Sequence, residues 1–211
     1  MTADAFAGGV SHDVRHQASS IAEGILVGMT AAEPTTKAPP SWKRKNDGRI
    51  GGPGMDPAIV ANSVLRRSFD DFMPINSMQL QKLMYVVACL YMRRSGLRLV
   101  SEQFQAWETG PVLASLHGRL LSDSGNPVGA YLAGANGRTQ WLEERPGSNA
   151  RHALDLTWNN LSGYSAASLA NLVRAPGSAW DKAWQARSMY IRDEDMADDD
   201  TFLSALGLGG L

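Results

Sequence analysis

A single cysteine, Cys89, stands among 211 residues. That excludes an intramolecular disulfide framework and any cysteine-rich metal site, and it fits a reducing compartment. No run of about 18 apolar residues occurs, and no basic stretch followed by an apolar one opens the chain, so neither a membrane span nor secretion is expected and the expected location is the cytoplasm. Charge of one sign is also missing: 20 Lys and Arg face 21 Asp and Glu, for a net charge of −1. Dedicated polyanion binders carry a basic excess, so nucleic acid is not an expected partner. The chain further lacks a glycine-rich phosphate loop after a strand, zinc-type ligand spacing and a Gly-x-Ser-x-Gly elbow. These absences point away from an enzyme and from any cofactor or metal.

What is present is ordinary globular material, 44% hydrophobic and 19% charged, enough for a core domain of about 100 to 150 residues. It is unevenly spread. Residues 1–54 mix Ala, Ser, Thr, Gly and Pro and close on Pro39-Pro40 and Gly51-Gly52-Pro53-Gly54. They read as a flexible N-terminal extension with room for a short helix from about Asp13 to Val27. His12 and His16 fall at i, i+4 there, but two ligands do not make a metal site. Trp42 beside Lys43-Arg44-Lys45 has the make-up of an RNA or DNA contact, an aromatic to stack on bases and cations for phosphates, but such a short basic run is more often a solvated linker.

Residues 55–211 read as one compact, mainly α domain. Asp56-Pro57 suits a helix start, and Ile59, Val60, Val64, Leu65 and Phe69 recur at helical spacing up to Pro74. A second helix starts at Asn76 or Ser77 and carries a stripe of Leu80, Leu83, Met84, Val87, Leu90 and Tyr91; Arg93, Arg94 and Gly96 close it. Leu97 to Trp107 suits a small hairpin or a one-turn helix. Gly110-Pro111 then launches a third helix through Val112, Leu113, Leu116 and Leu120, with Pro111 at its first position. From Ser122 to about Ala150, Gly, Asn and Pro predict a loop or irregular hairpin carrying Trp141 and Leu142. Ser165 caps a fourth helix, Ser178 to about Met189 makes a fifth, and Asp193-Glu194-Asp195-Met196 opens the last. Asp198-Asp199-Asp200 reads as a solvated acidic helix face rather than a metal cluster.

Few residues suggest chemistry. Cys89 with His117 would make a nucleophile and base, but a mid-helix Cys more often packs as a small hydrophobe. Lys82 and Tyr85, three apart on the second helix, share a face on which a cation and a phenol can bind a carboxylate or a partner's backbone; the plain alternative is a helix boundary where Lys snorkels and Tyr packs. In Ala106-Trp107-Glu108-Thr109-Gly110-Pro111, Trp107 can plug the core, Gly110 can supply an unusual backbone angle and Pro111 can preset a helix.

Taken together, Ile75-Asn76-x-x-x-Leu80-Gln81-Lys82-Leu83-Met84-Tyr85, Gly96-x-x-Leu99 and Ala106-Trp107-x-x-Gly110-Pro111-Val112 resemble the Panacea domain family, which includes the SocA antitoxin and GepA-like phage-associated proteins. Tyr164-Ser165, Leu169, Leu172 and Ser178-Ala179-Trp180 resemble its C-terminal helix pair, so the resemblance spans about Pro57 to Leu206. Met84 and Val86-Val87-Ala88 depart from the usual pattern. The resemblance implies a helical antitoxin that neutralises a cognate protein toxin, encoded by an adjacent gene, through direct contact. The extension is the candidate for partner choice, and Lys82, Tyr85, Trp107, Gly110, Pro111 and Trp42 are the candidate partner-binding residues. Two alternatives stand beside it: a proteolytic adaptor that delivers a toxin to a protease, with the apolar end Leu206 to Leu211 read either as a tag or, more simply, as a frayed terminus, and an enzyme acting through Lys82, Tyr85 and Glu108.

Overall fold

The computed structural model describes residues 52–121 and 125–209. The extension up to residue 51, where the short helix from about Asp13 to Val27 was expected, lies outside the described residues together with the His12/His16 pair and Trp42, as do residues 122–124, Gly210 and Leu211. Within them the fold is mainly helical, with one small antiparallel sheet, in the order α1 (Pro57–Asp70), α2 (Ser77–Ser95), β1 (Gln105–Trp107), β2 (Gly110–Val112), α3 (Ala114–Arg119), α4 (Asn149–Leu161), α5 (Ala166–Val173), α6 (Ala179–Gln185) and α7 (Asp193–Ala197), closed by a 3-10 turn at Ser204–Leu206.

Helix α2 is the axis. Its start is fixed by a capping box in which Asn76 and Gln79 exchange side-chain and backbone hydrogen bonds, and its end by Gly96 in the left-handed conformation. Every residue from Leu80 to Leu90 is buried, polar ones included. The sequence suggested an apolar stripe on one side, but α1, α4, α5, α7 and β2 all pack against this helix, so no side of that stretch is left for water.

Around it the remaining elements are held by specific polar ties. Asp56 caps α1 by accepting from Ala58 N at 2.8 Å, and Met55 exchanges backbone hydrogen bonds with Leu99 and Ser101, at 2.8 Å each. Gly54 is required there: its φ is +71°, and a Cβ would sit 2.2 Å from the Val100 carbonyl. The stretch after α3 is irregular, as expected, with Leu142 buried and Trp141 largely exposed. It is fastened to α1 by Asn62, which donates to the Leu132 and Gln140 carbonyls and accepts from Leu132 N, all at 2.8 Å. Ser63 Oγ accepts from Leu142 N, and Arg67 bridges Glu144 and Asp155.

Three expectations need correction. Pro111 does not begin a helix: it pairs across the hairpin with Ala106, and α3 starts three residues later, at Ala114. The reason lies far along the chain: Ala106 N donates to Met189 O on its other side, so the position opposite it needs no N–H. Helix α4 is absent from the sequence reading, although Ser148 caps it and Ala153, Leu154, Trp158 and Leu161 face inward at helical spacing. The acidic run is not uniformly solvated either: Asp200 is exposed and pairs with Arg93, but Asp199 is 2% exposed. At the C-terminal end, Leu206 is buried and Leu208 packs against the core.

Asn62→Ala strands two carbonyls and one N–H against α1. The expected cost is about 3 kcal/mol, read as a lower urea midpoint with an unchanged slope; a wild-type midpoint would show that the loop is not anchored there.

Candidate functional site

The residues singled out from the sequence converge on the interior between α2 and the hairpin. Lys82 and Tyr85 do not lie at a helix boundary with Lys82 reaching water: they are 1% and 0% exposed and are among the largest fully buried side chains of the described residues. Lys82 Nζ donates to the Pro111 carbonyl at 2.9 Å. One residue earlier, the Gln81 amide donates to Leu113 O at 3.1 Å and accepts from Leu113 N at 3.0 Å, completing both backbone groups of that residue as a neighbouring strand would. The polar start of α2 therefore binds the second strand of the hairpin. Gly110 leaves room for this: its φ is +101°, and a Cβ there would come within 3.2 Å of Lys82 Cε and Nζ.

Tyr85 looks the other way, toward the C-terminal end of the domain. Its hydroxyl donates to Asp199 Oδ2 at 3.2 Å, and its ring meets Phe104 edge to face at 5.4 Å. The same Asp199 accepts from Ala179 N at the start of α6 and from both Thr201 groups. Burial pushes the Tyr85 hydroxyl well above its ordinary pKa, and burial with Asp199 nearby does the same to Cys89. Cys89 is a buried thiol, whereas His117 is exposed and lies edge to face with Trp107 at 4.8 Å. Glu108 is exposed on the hairpin turn, where its carbonyl accepts from Arg174 Nη1 at 2.8 Å. Thus Lys82 is engaged with Pro111, Tyr85 with Asp199, and Glu108 stands at the surface.

Lys82 is perturbed in the opposite sense. Its burial, with the Arg174 charge adding to the effect, lowers the ammonium pKa from 10.5 to about 7. Among the described residues no carboxylate forms an ion pair with it. A lysine whose folded pKa lies below its unfolded value binds fewer protons when folded, so stability rises with pH above about 7. Cys89 and Tyr85 are raised in the folded state and act oppositely once their unfolded forms ionise, from about pH 9 upward.

The exposed counterpart of this buried cluster lies beside β1. Residues 189–191 pair with β1 on the side away from β2, with Ala106 N donating to Met189 O and Ile191 N to Phe104 O, both at 2.9 Å. Trp180 Nε1 donates to the Trp107 carbonyl at 2.8 Å, Trp180 and Trp184 stack at 5.2 Å, and the Arg174 guanidinium covers Trp180 at 5.8 Å. Between hairpin and α6 opens a groove of about 730 Å³ lined by Gln105, Trp107, Trp184, Gln185, Arg187 and Met189. Trp184, Met189 and Tyr190 are 43%, 64% and 45% exposed. Trp107 is the one sequence-selected residue on this surface. The others were overlooked, although the i, i+4 spacing of Trp180 and Trp184 signals one aromatic face.

Residues 80–181 match the family model described as antitoxin SocA-like, Panacea domain. The matched segment starts within α2 and ends within α6, so it contains both ends of the Lys82–Pro111 link and is narrower than the span read from the motifs. No curated protein and no solved structure gives a match.

Two measurements check the cluster. Urea-derived stability should rise by up to about 1.4 kcal/mol per pH unit between roughly pH 7 and 8.5, and Lys82→Met should flatten that slope; an unchanged slope in the variant would place the titrating group elsewhere. Gly110→Ala should lower stability by about 2–3 kcal/mol through its positive φ and the contact with Lys82, as read by thermal or urea unfolding.

Proposed function

We propose, from the SocA-like Panacea domain matched at residues 80–181, that this chain is the antitoxin of a type II toxin–antitoxin pair. In this reading it neutralises a protein toxin, encoded by an adjacent gene, through direct contact. The observation that carries the proposal is the division of labour around the hairpin. The polar residues of the motif face inward and hold the fold, while the aromatic and methionine side chains of Trp184, Met189 and Tyr190 face outward beside a groove. Exposed aromatics and a flexible methionine on a rigid support are what a protein partner buries most profitably.

The toxin docks on this face, with Trp184 as the central anchor and Trp107 forming the hairpin wall. Lys82, Gly110 and Pro111 then act by setting the position of that wall, and Tyr85 acts through Asp199 on the start of α6. An adaptor for proteolysis would use the same contact and differ in the fate of the toxin. A catalytic role would instead require Lys82 and Tyr85 to act on a common substrate, which their separate engagements do not favour.

Co-expression of the wild-type chain with the adjacent gene product should restore growth that the product alone arrests. Trp184→Ala should leave the fold intact and weaken the complex by about 30-fold, as expected for an aromatic anchor near 2 kcal/mol, with rescue reduced in parallel. A stable toxin half-life during rescue supports neutralisation by occupancy, and a shortened one supports delivery to a protease. Undiminished affinity in Trp184→Ala would move the docking face elsewhere.

A further inference from the structure

A second, smaller cavity of about 270 Å³ opens on the other side of the hairpin, against the first turns of α2. Its lining combines Lys82, Ser77, Thr109 and His117 with the apolar side chains of Met78 and Leu120, and Trp107 separates it from the groove described above. We infer that this cavity is a binding site for a carboxylate carried on a short apolar stem, with Lys82 as its cationic floor. The inference concerns the cavity alone and does not depend on whether the chain neutralises a toxin.

Four observations carry it. Lys82 is 1% exposed, yet among the described residues its one hydrogen bond is that to the Pro111 carbonyl, and an ammonium has three donors. No carboxylate among the described residues pairs with it, and the neighbouring charge that acts on it, Arg174, has the same sign. A buried ammonium in that state is under-compensated, and an incoming anion supplies what the protein withholds. Ser77 and Met78 are the first two residues of the 19-residue α2, so the positive end of its dipole lies at the cavity rim.

The chemistry of the lining selects the anion. A single lysine, a helix start and hydroxyl groups balance one negative charge; Arg174, the other strong cation nearby, is engaged with Glu108 O, Ala170 O and Asn171 Oδ1. Met78, Leu120 and the Trp107 ring then offer apolar walls to a stem, which phosphate and sulfate lack. Binding is coupled to protonation. Because the Lys82 pKa lies near 7, an anion that prefers the ammonium raises it, and affinity falls as pH increases above that value. His117 on the wall and Arg174 behind Lys82 are the other basic groups facing it, and Glu108 stands on the adjoining turn.

The test uses the full chain labelled with ¹³C at lysine Cε and follows the Lys82 resonance from about pH 6 to 9, a window that brackets its titration. Butyrate should raise the midpoint by about one pH unit, a tenfold preference for the protonated form, whereas butyramide should leave it unmoved. Thr109→Trp, which crowds the mouth from an exposed turn, should keep the resting midpoint and abolish the butyrate response. N-acetyl-glutamate amide separates the sources: a response to it as well as to butyrate assigns the site to protein carboxylates, and a response to butyrate alone to small free acids. No response to either carboxylate, an equal response to butyramide, or a response that survives Thr109→Trp overturns the inference.

Discussion

The structure depends on how a helix buried on every side satisfies its own polar residues. From Leu80 to Leu90 α2 has no solvent-facing side, yet Gln81, Lys82 and Tyr85 lie within that stretch. Each has a partner far along the chain: Gln81 both backbone groups of Leu113, Lys82 the Pro111 carbonyl through one of its three donors, and Tyr85 Asp199. A polar group buried without a partner costs about 1–3 kcal/mol, so these pairings fix where the hairpin and the C-terminal segment can sit.

From that constraint the outer surface follows. The hairpin is held to α2 through β2, and β1 then pairs with residues 189–191 on its free side. Trp107 is placed between the two openings, its carbonyl bound by Trp180 Nε1 and its ring against His117. The start of α6 is tied to Asp199, which also receives the Tyr85 hydroxyl. Two separate sets of buried polar contacts from α2, one to the hairpin and one to Asp199, thus align the hairpin with the stacked pair Trp180 and Trp184. The segment matched to the SocA-like Panacea domain contains the hairpin and only the first turn of α6, while Asp199 lies beyond its end.

Local signals in the chain were legible. Asn76, Asp56-Pro57, Ser165 and Gly96 mark element ends through interactions that span only a few residues, and each marks one here. What depends on distant partners was not. Lys82 and Tyr85 look like boundary residues because a helical wheel cannot show that β2, α5 and α7 close over them. Pro111 looks like a helix start because nothing in its neighbourhood reveals that Met189 takes the Ala106 N–H from the opposite side. Asp199 sits in an acidic triplet whose members have different surroundings. Helix α4 is a different kind of miss, since Ser148 and the spacing of Ala153, Leu154, Trp158 and Leu161 were available; the Gly- and Asn-rich loop before it obscured its start.

Native-state hydrogen exchange tests the central claim most directly. If the polar residues of α2 hold the hairpin, the Leu113 amide, which donates to Gln81, exchanges only through an opening as costly as that of the α2 core. In Gln81→Leu, that amide then exchanges faster by a factor of at least about ten, equivalent to about 1.4 kcal/mol, while the α2 amides keep their protection relative to global stability. Fast exchange of Leu113 in the wild type, or equal protection in the variant, would contradict the account by showing that the hairpin is not anchored through α2.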